Sequence, residues 1–141
     1  MRILATAVLA ATLAACEVPE VGGRNPLQGG GAAATYEGIT EGLMVPRCAT
    51  SACHAGPQPR AFPTCDADLW YDVYLGQPSQ QAPGMNLVEP GDPEQSYLVH
   101  KLRGTHGTAG GGGARMPIAA APLDDEEQAA VEAWIANGAQ R

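Results

Sequence analysis

Large aromatic side chains are scarce in this chain. One Phe, two Trp and four Tyr serve 141 residues, so any core built on them is thin. A small domain of this kind usually needs a staple, whether disulfides, a metal or a large cofactor. Basic residues are also few, eight Lys and Arg against fifteen Asp and Glu, for a formal charge of −7. That balance argues against nucleic acid and against a polybasic membrane patch, and it is compatible with a basic protein partner. Long hydrophobic runs are missing. The apolar run at the start reaches only Cys16, short of the ~20 residues a spanning helix needs. No nucleophile–base pair, phosphate loop or pair of catalytic carboxylates can be recognised, which leaves hydrolysis and phosphoryl transfer without support.

What is there begins with "MRILATAVLAATLAAC", one positive charge at Arg2 followed by small and apolar residues. This is the pattern of a signal-peptide h-region. Its end, Leu13-Ala14-Ala15-Cys16, resembles the lipobox of bacterial lipoproteins. The resemblance implies export, lipidation at Cys16 and attachment to a cell-envelope membrane by acyl chains, facing the periplasm. Loss of Arg2 with the leader moves the formal charge from −7 to −8. Residues 17–34 are rich in Gly, Pro and Ala, lack a hydrophobic period and read as a flexible tether. Residues 35–141 are enough for one small domain.

Within that domain four helical segments are expected and no convincing strand, which gives an all-α class with long loops. The first covers Tyr36 to Val45, with Tyr36, Ile39 and Leu43 at helical spacing and Pro46 as its stop. Gly38 and Gly42 form a smooth stripe on it where another helix could approach. The second, "DADLWYDVYLG", has Asp66 as N-cap, an apolar face of Leu69, Trp70, Val73 and Tyr74, and Gly76 as its end. The third, "DPEQSYLVHKLRG", has Asp92 as cap, Pro93 in the first turn, Gln95 placed as in a capping box and Gly104 as stop. The fourth starts near Asp124. Its run of acids suits the helix dipole, Val131, Trp134 and Ile135 mark its buried stripe, and Gly138 ends it. Between the third and fourth lies "GTHGTAGGGGARMPIAAAP", too glycine-rich to fold by itself.

Cysteine arithmetic narrows the staple. With Cys16 set aside for lipid, Cys48, Cys53 and Cys65 remain, and three cannot all pair within one exported chain. The stretch "RCATSACHAG" places Cys48 and Cys53 five apart with His54 directly after. Covalent haem attachment needs two thiols for the two vinyl groups and an adjacent His for the iron. The usual spacing is C-x-x-C-H, and two extra residues can bulge outward without moving Cys53 or His54. Met116, followed by Pro117 in the glycine-rich loop, offers a thioether as distal ligand. Met44, Met85 and His106 are weaker candidates for that position, and His100 reads as a solvated or partly buried surface residue. A zinc site from Cys48, Cys53, His54 and Cys65 has suitable residue types, although adjacent Cys53 and His54 ligate one ion awkwardly. A haem-free domain stapled by a disulfide from Cys48 to Cys53 or Cys65 is the third possibility.

In order and type of element, residues 35–141 resemble class I c-type cytochromes, as found in bacterial lipoproteins: helix, C-x4-C-H, middle helices, a Met-Pro loop and a final helix. The resemblance implies a small cytochrome c-like domain carrying one covalent haem c. Cys48 and Cys53 would form the thioethers, His54 the proximal iron bond and Met116 the distal one. It also implies crossed first and last helices, with Gly38 or Gly42 meeting Trp134. Arg60, Arg103 or Arg115 could neutralise a propionate. The expected activity is one-electron transfer to a redox protein partner, with no catalysis on a substrate. A haem-based sensor or peroxidase would need Met116 off the iron.

Overall fold

The computed structural model describes residues 33–49, 54 and 67–141. Cys16, Cys53, Arg60, Cys65 and Asp66, with the leader and the tether, lie outside the described residues. The described part is helical. Its elements are α1 (Tyr36–Ile39), a π-helical turn (Thr40–Met44), α2 (Val45–Cys48), α3 (Ala67–Tyr74), a 3-10 turn (Pro93–Gln95), α4 (Tyr97–Arg103) and α5 (Asp125–Ala136). Among the described residues there are no strands, only isolated bridges that pin the segment after α3, such as Leu75 to Val88 and Asn86 to Ser96. The all-α expectation holds at this level.

The first helix departs from expectation at Pro46. It does not stop there but runs on to Cys48, because a π turn precedes the proline. Thr40 starts that turn fully buried, its hydroxyl donating to the Tyr36 carbonyl at 2.7 Å, a back-bond that loosens a helix. The Val45 amide then reaches back to the Thr40 carbonyl, five residues away. The wider turn makes room for a ring that would clash with a carbonyl in a regular α-helix, and Pro46 enters at the start of α2. The consequence is positional: Cys48 becomes the last residue of a helix.

The third segment also differs, because it is broken in two. Asp92 caps as expected, its Oδ1 accepting the amides of Glu94 and Gln95, each at 3.1 Å. Ser96 then adopts an extended conformation and separates the 3-10 turn from α4. Its buried hydroxyl accepts the Glu89 amide at 2.8 Å and donates to the Asp92 carbonyl at 2.9 Å. Those two bonds hold the backbone out of the helix. Gly104 ends α4 in the left-handed region, φ 82°, and Gly76 follows α3 at φ 64°, both as expected.

Helix α5 carries the capping box formed by Asp124 and Glu127. It packs on α1 and α4 with Val131, Trp134 and Ile135 buried. Trp134 meets Trp70 and Tyr71 of α3, each at 6.3 Å between ring centroids. Of the two stripe glycines, Gly42 in the π turn does not meet Trp134. A Cβ on Gly38 would strike the Ala33 carbonyl oxygen at 2.3 Å, and one on Gly42 would meet only the Glu37 carbonyl at 3.6 Å. Gly38 is therefore required by the chain's own backbone folding back over it.

One clamp joins the two ends of the fold. Arg47 of α2 donates from one nitrogen to both Glu127 oxygens, at 2.6 and 2.8 Å. Its other nitrogen reaches the carbonyls of Ala121 and Pro122. The ion pair is largely shielded, with side chains 19% and 13% exposed, so loss of one partner strands a charge. Arg47→Ala should cost about 2–3 kcal/mol of unfolding free energy, read as a lower urea midpoint. Arg47→Lys should recover only part, since it lacks the fork.

Candidate functional site

A cavity of about 650 Å³ opens between α2, α4 and the loop at residues 113–119, within the roughly 300–1,000 Å³ that cofactor sites occupy. Cys48, His54 and Met116 all line it. They arrive by separate routes, and the fold brings these three of the four expected haem-site residues to one space. The fourth, Cys53, lies outside the described residues, as do Cys16 for lipid and Cys65.

Cys48 is set by the extension of α2 past Pro46, and its thiol stands 3.9 Å from the Met44 sulfur. Met44 is buried and lines the cavity beside Cys48. Tyr74 of α3 closes the wall. Burial, and then the neighbouring Cys48 sulfur, hold its phenol well above the usual range.

Met116 is positioned by α4. Its backbone amide donates to the Lys101 carbonyl at 2.9 Å, and Arg115 Nε donates to the Leu102 carbonyl at 2.7 Å. Lys101 Nζ returns the contact, donating to the Gly112 and Ala114 carbonyls at 3.1 and 2.6 Å. The Tyr97 hydroxyl donates to Gly112 O at 3.3 Å or to Gln81 Oε1 at 3.1 Å. The glycine-rich loop thus takes its shape from side chains of α4, which the expectation that it could not fold by itself left unnamed. Gly111 must be glycine, since a Cβ there would sit 2.3 Å from the Tyr97 oxygen. Tyr97, Leu98, Lys101 and Leu102 present one face of α4 to the cavity, as positions i, i+1, i+4 and i+5 of a helix do.

The other candidates fall away from this space. His106 Nε2 faces the Gly113 carbonyl at 2.7 Å, so that nitrogen donates, and the ring is not among the lining residues. His100 Nε2 likewise donates to Glu94 O at 3.0 Å, with Nδ1 2.9 Å from the Thr105 hydroxyl. Met85 does not line the cavity. Arg103 is committed to Glu94 and Glu132 at 2.7 and 2.8 Å, which raise its pKa and lower that of Glu132. Neither Arg103 nor Arg115 lines the cavity. Among the described residues, the cations that do are Arg47 and Lys101, and sequence reasoning passed over both.

The walls are mostly apolar, and no Asp or Glu is among the described lining residues. Among the described residues no group of three or more His, Cys, Asp or Glu gathers as a metal site. A thiol, an imidazole and a thioether in an apolar pocket form a soft donor set. It is suited to a transition metal and poorly suited to calcium or magnesium. The cavity volume, the mostly apolar walls and this donor set are compatible with a flat iron porphyrin. No protein-family model, curated protein or solved structure matches this chain.

Proposed function

We propose that residues 35–141 form a cytochrome c-like domain that carries one haem c and passes single electrons. The observation that supports this most is the meeting of Cys48, His54 and Met116 at one apolar cavity, although Met116 lies 62 residues beyond His54 in the chain. Cys48 and Cys53 would hold the porphyrin through thioethers, His54 would bind the iron proximally and Met116 distally. The haem supplies a reversible one-electron couple. With His54 and Met116 as its two protein donors, the iron would have no position left for a substrate, and the mostly apolar walls would limit the access of water. An oxidative titration of protein from a haem-maturing host tests the reading. A single reversible one-electron wave is expected, and a colourless protein without any wave would refute it.

The same proposal places the domain outside the cytoplasm, lipid-anchored at Cys16 on a cell-envelope membrane and facing the periplasm, with a redox protein as partner. Support comes from the apolar leader ending in Leu13-Ala14-Ala15-Cys16. Among the described residues no helix is long and apolar enough to cross a membrane. Cys16→Ser should move the protein from the membrane fraction to the soluble one. A membrane-bound wild type with no acyl mass on Cys16 would remove the anchor from the proposal.

A further inference from the structure

Lys101 is the oddest charge in the structure. It is 6% exposed, lines the cavity and makes no ion pair among the described residues, whose other inward cation, Arg47, is paired with Glu127. Two of its three ammonium protons go to the Gly112 and Ala114 carbonyls, and its Nζ lies 5.9 Å from the Tyr97 ring centroid. The third proton has no acceptor among the described residues. A buried ammonium without a counter-ion is costly, and burial accordingly pulls its pKa down. Carbonyl oxygens satisfy its hydrogen bonds but do not cancel its charge. Tyr97 lies beside it and hydrogen-bonds Gln81, and both line the space, so neutral polar groups gather near the ammonium. Such an arrangement is a half-built carboxylate site.

We infer that the cavity's ligand carries a carboxylate, and that Lys101 is its anchor, in place of Arg103 and Arg115, which do not line the cavity. The inference rests on the haem reading above, in which that carboxylate is a porphyrin propionate. Lys101 then has two tasks, one on its backbone and one on its side chain. Its carbonyl holds the Met116 amide at 2.9 Å, and its ammonium holds both the loop and the propionate. Its positive charge beside the ring disfavours the ferric state, and so raises the reduction potential.

The test uses full-length holoprotein, wild type against Lys101→Gln and Lys101→Met, with Lys101→Arg as the charge-preserving control. Glutamine can still donate to the loop carbonyls, which separates lost charge from lost loop shape. Resonance Raman spectra report hydrogen bonding to the propionate through its bending mode, and redox titration reports the charge. In Lys101→Gln the propionate mode should shift, and the reduced-to-oxidised ratio at fixed poise should fall about tenfold, which is 59 mV for one electron. Lys101→Arg should keep the wild-type ratio. Haem bound in wild type and Lys101→Gln with the same mode and the same potential would overturn the role of Lys101 alone. A wild type without haem would overturn the haem reading and this inference together. If Lys101→Met loses the loop while Lys101→Gln matches wild type in both readouts, Lys101 shapes the loop only, and the carboxylate anchor is refuted.

Discussion

Met116→Ala should turn a closed iron into an open one. The methionine is half-buried against the core, its amide is fixed to α4, and its loop lines the cavity. Alanine keeps the backbone bond and removes only the thioether. The far-red charge-transfer band of Met-bound ferric haem should disappear, and the potential should fall, since Met ligation raises it. Carbon monoxide or cyanide should then bind within seconds. Met85→Ala, outside the lining, should change none of these. Met44→Ala should cost stability, about 2–5 kcal/mol for a buried methionine, and leave the band in place. A wild type that already lacks the band and takes carbon monoxide readily would remove Met116 from the iron. It would also favour a sensor or peroxidase over an electron carrier.

The second large effect is expected at the thiols. Cys48 ends α2, a helix tied to α5 through Arg47 and Glu127, so its sulfur reaches the cavity from a fixed base. Cys53 sits directly before His54 in the sequence, so on the proposed haem reading one residue change there would affect both the thioether and the proximal donor. Cys53→Ala should lower haem retention in denaturing gels at least tenfold. Cys48→Ala should leave a single thioether and a chain that is still red. The asymmetry is the informative part. Equal and complete loss in both variants would point to a maturation step that needs the pair, and a wild type that loses its haem in the denaturing gel would exclude covalent attachment.

Much of the fold could be read from local signals, and the exceptions have physical causes. Gly76, Gly104 and the Asp124–Glu127 box end or start helices because their chemistry acts within a few residues. Pro46 misled because a proline's clash is judged against a regular α-helix, while here a π turn had already widened the backbone. Ser96 misled because its two hydrogen bonds run to Glu89 and Asp92, and a side chain can outbid the helix only once that neighbourhood is folded. At the site, Cys48, His54 and Met116 were visible as residue types that carry metal chemistry. Lys101 was not, because a lysine in a helix reads as a surface residue, and its burial depends on how the glycine loop that follows α4 folds back over it. A faint signal existed: a loop with so many small residues has carbonyls to spare, and α4 ends next to it.

The most direct measurement is peptide mass spectrometry on full-length protein purified from a haem-maturing host, without reduction. The peptide spanning Cys48, Cys53 and His54 is expected to carry the mass of one haem, with both sulfurs consumed as thioethers. The contradicting result is the same peptide without haem and with Cys48 and Cys53 joined to each other. That would make the domain a disulfide-stapled module with no iron.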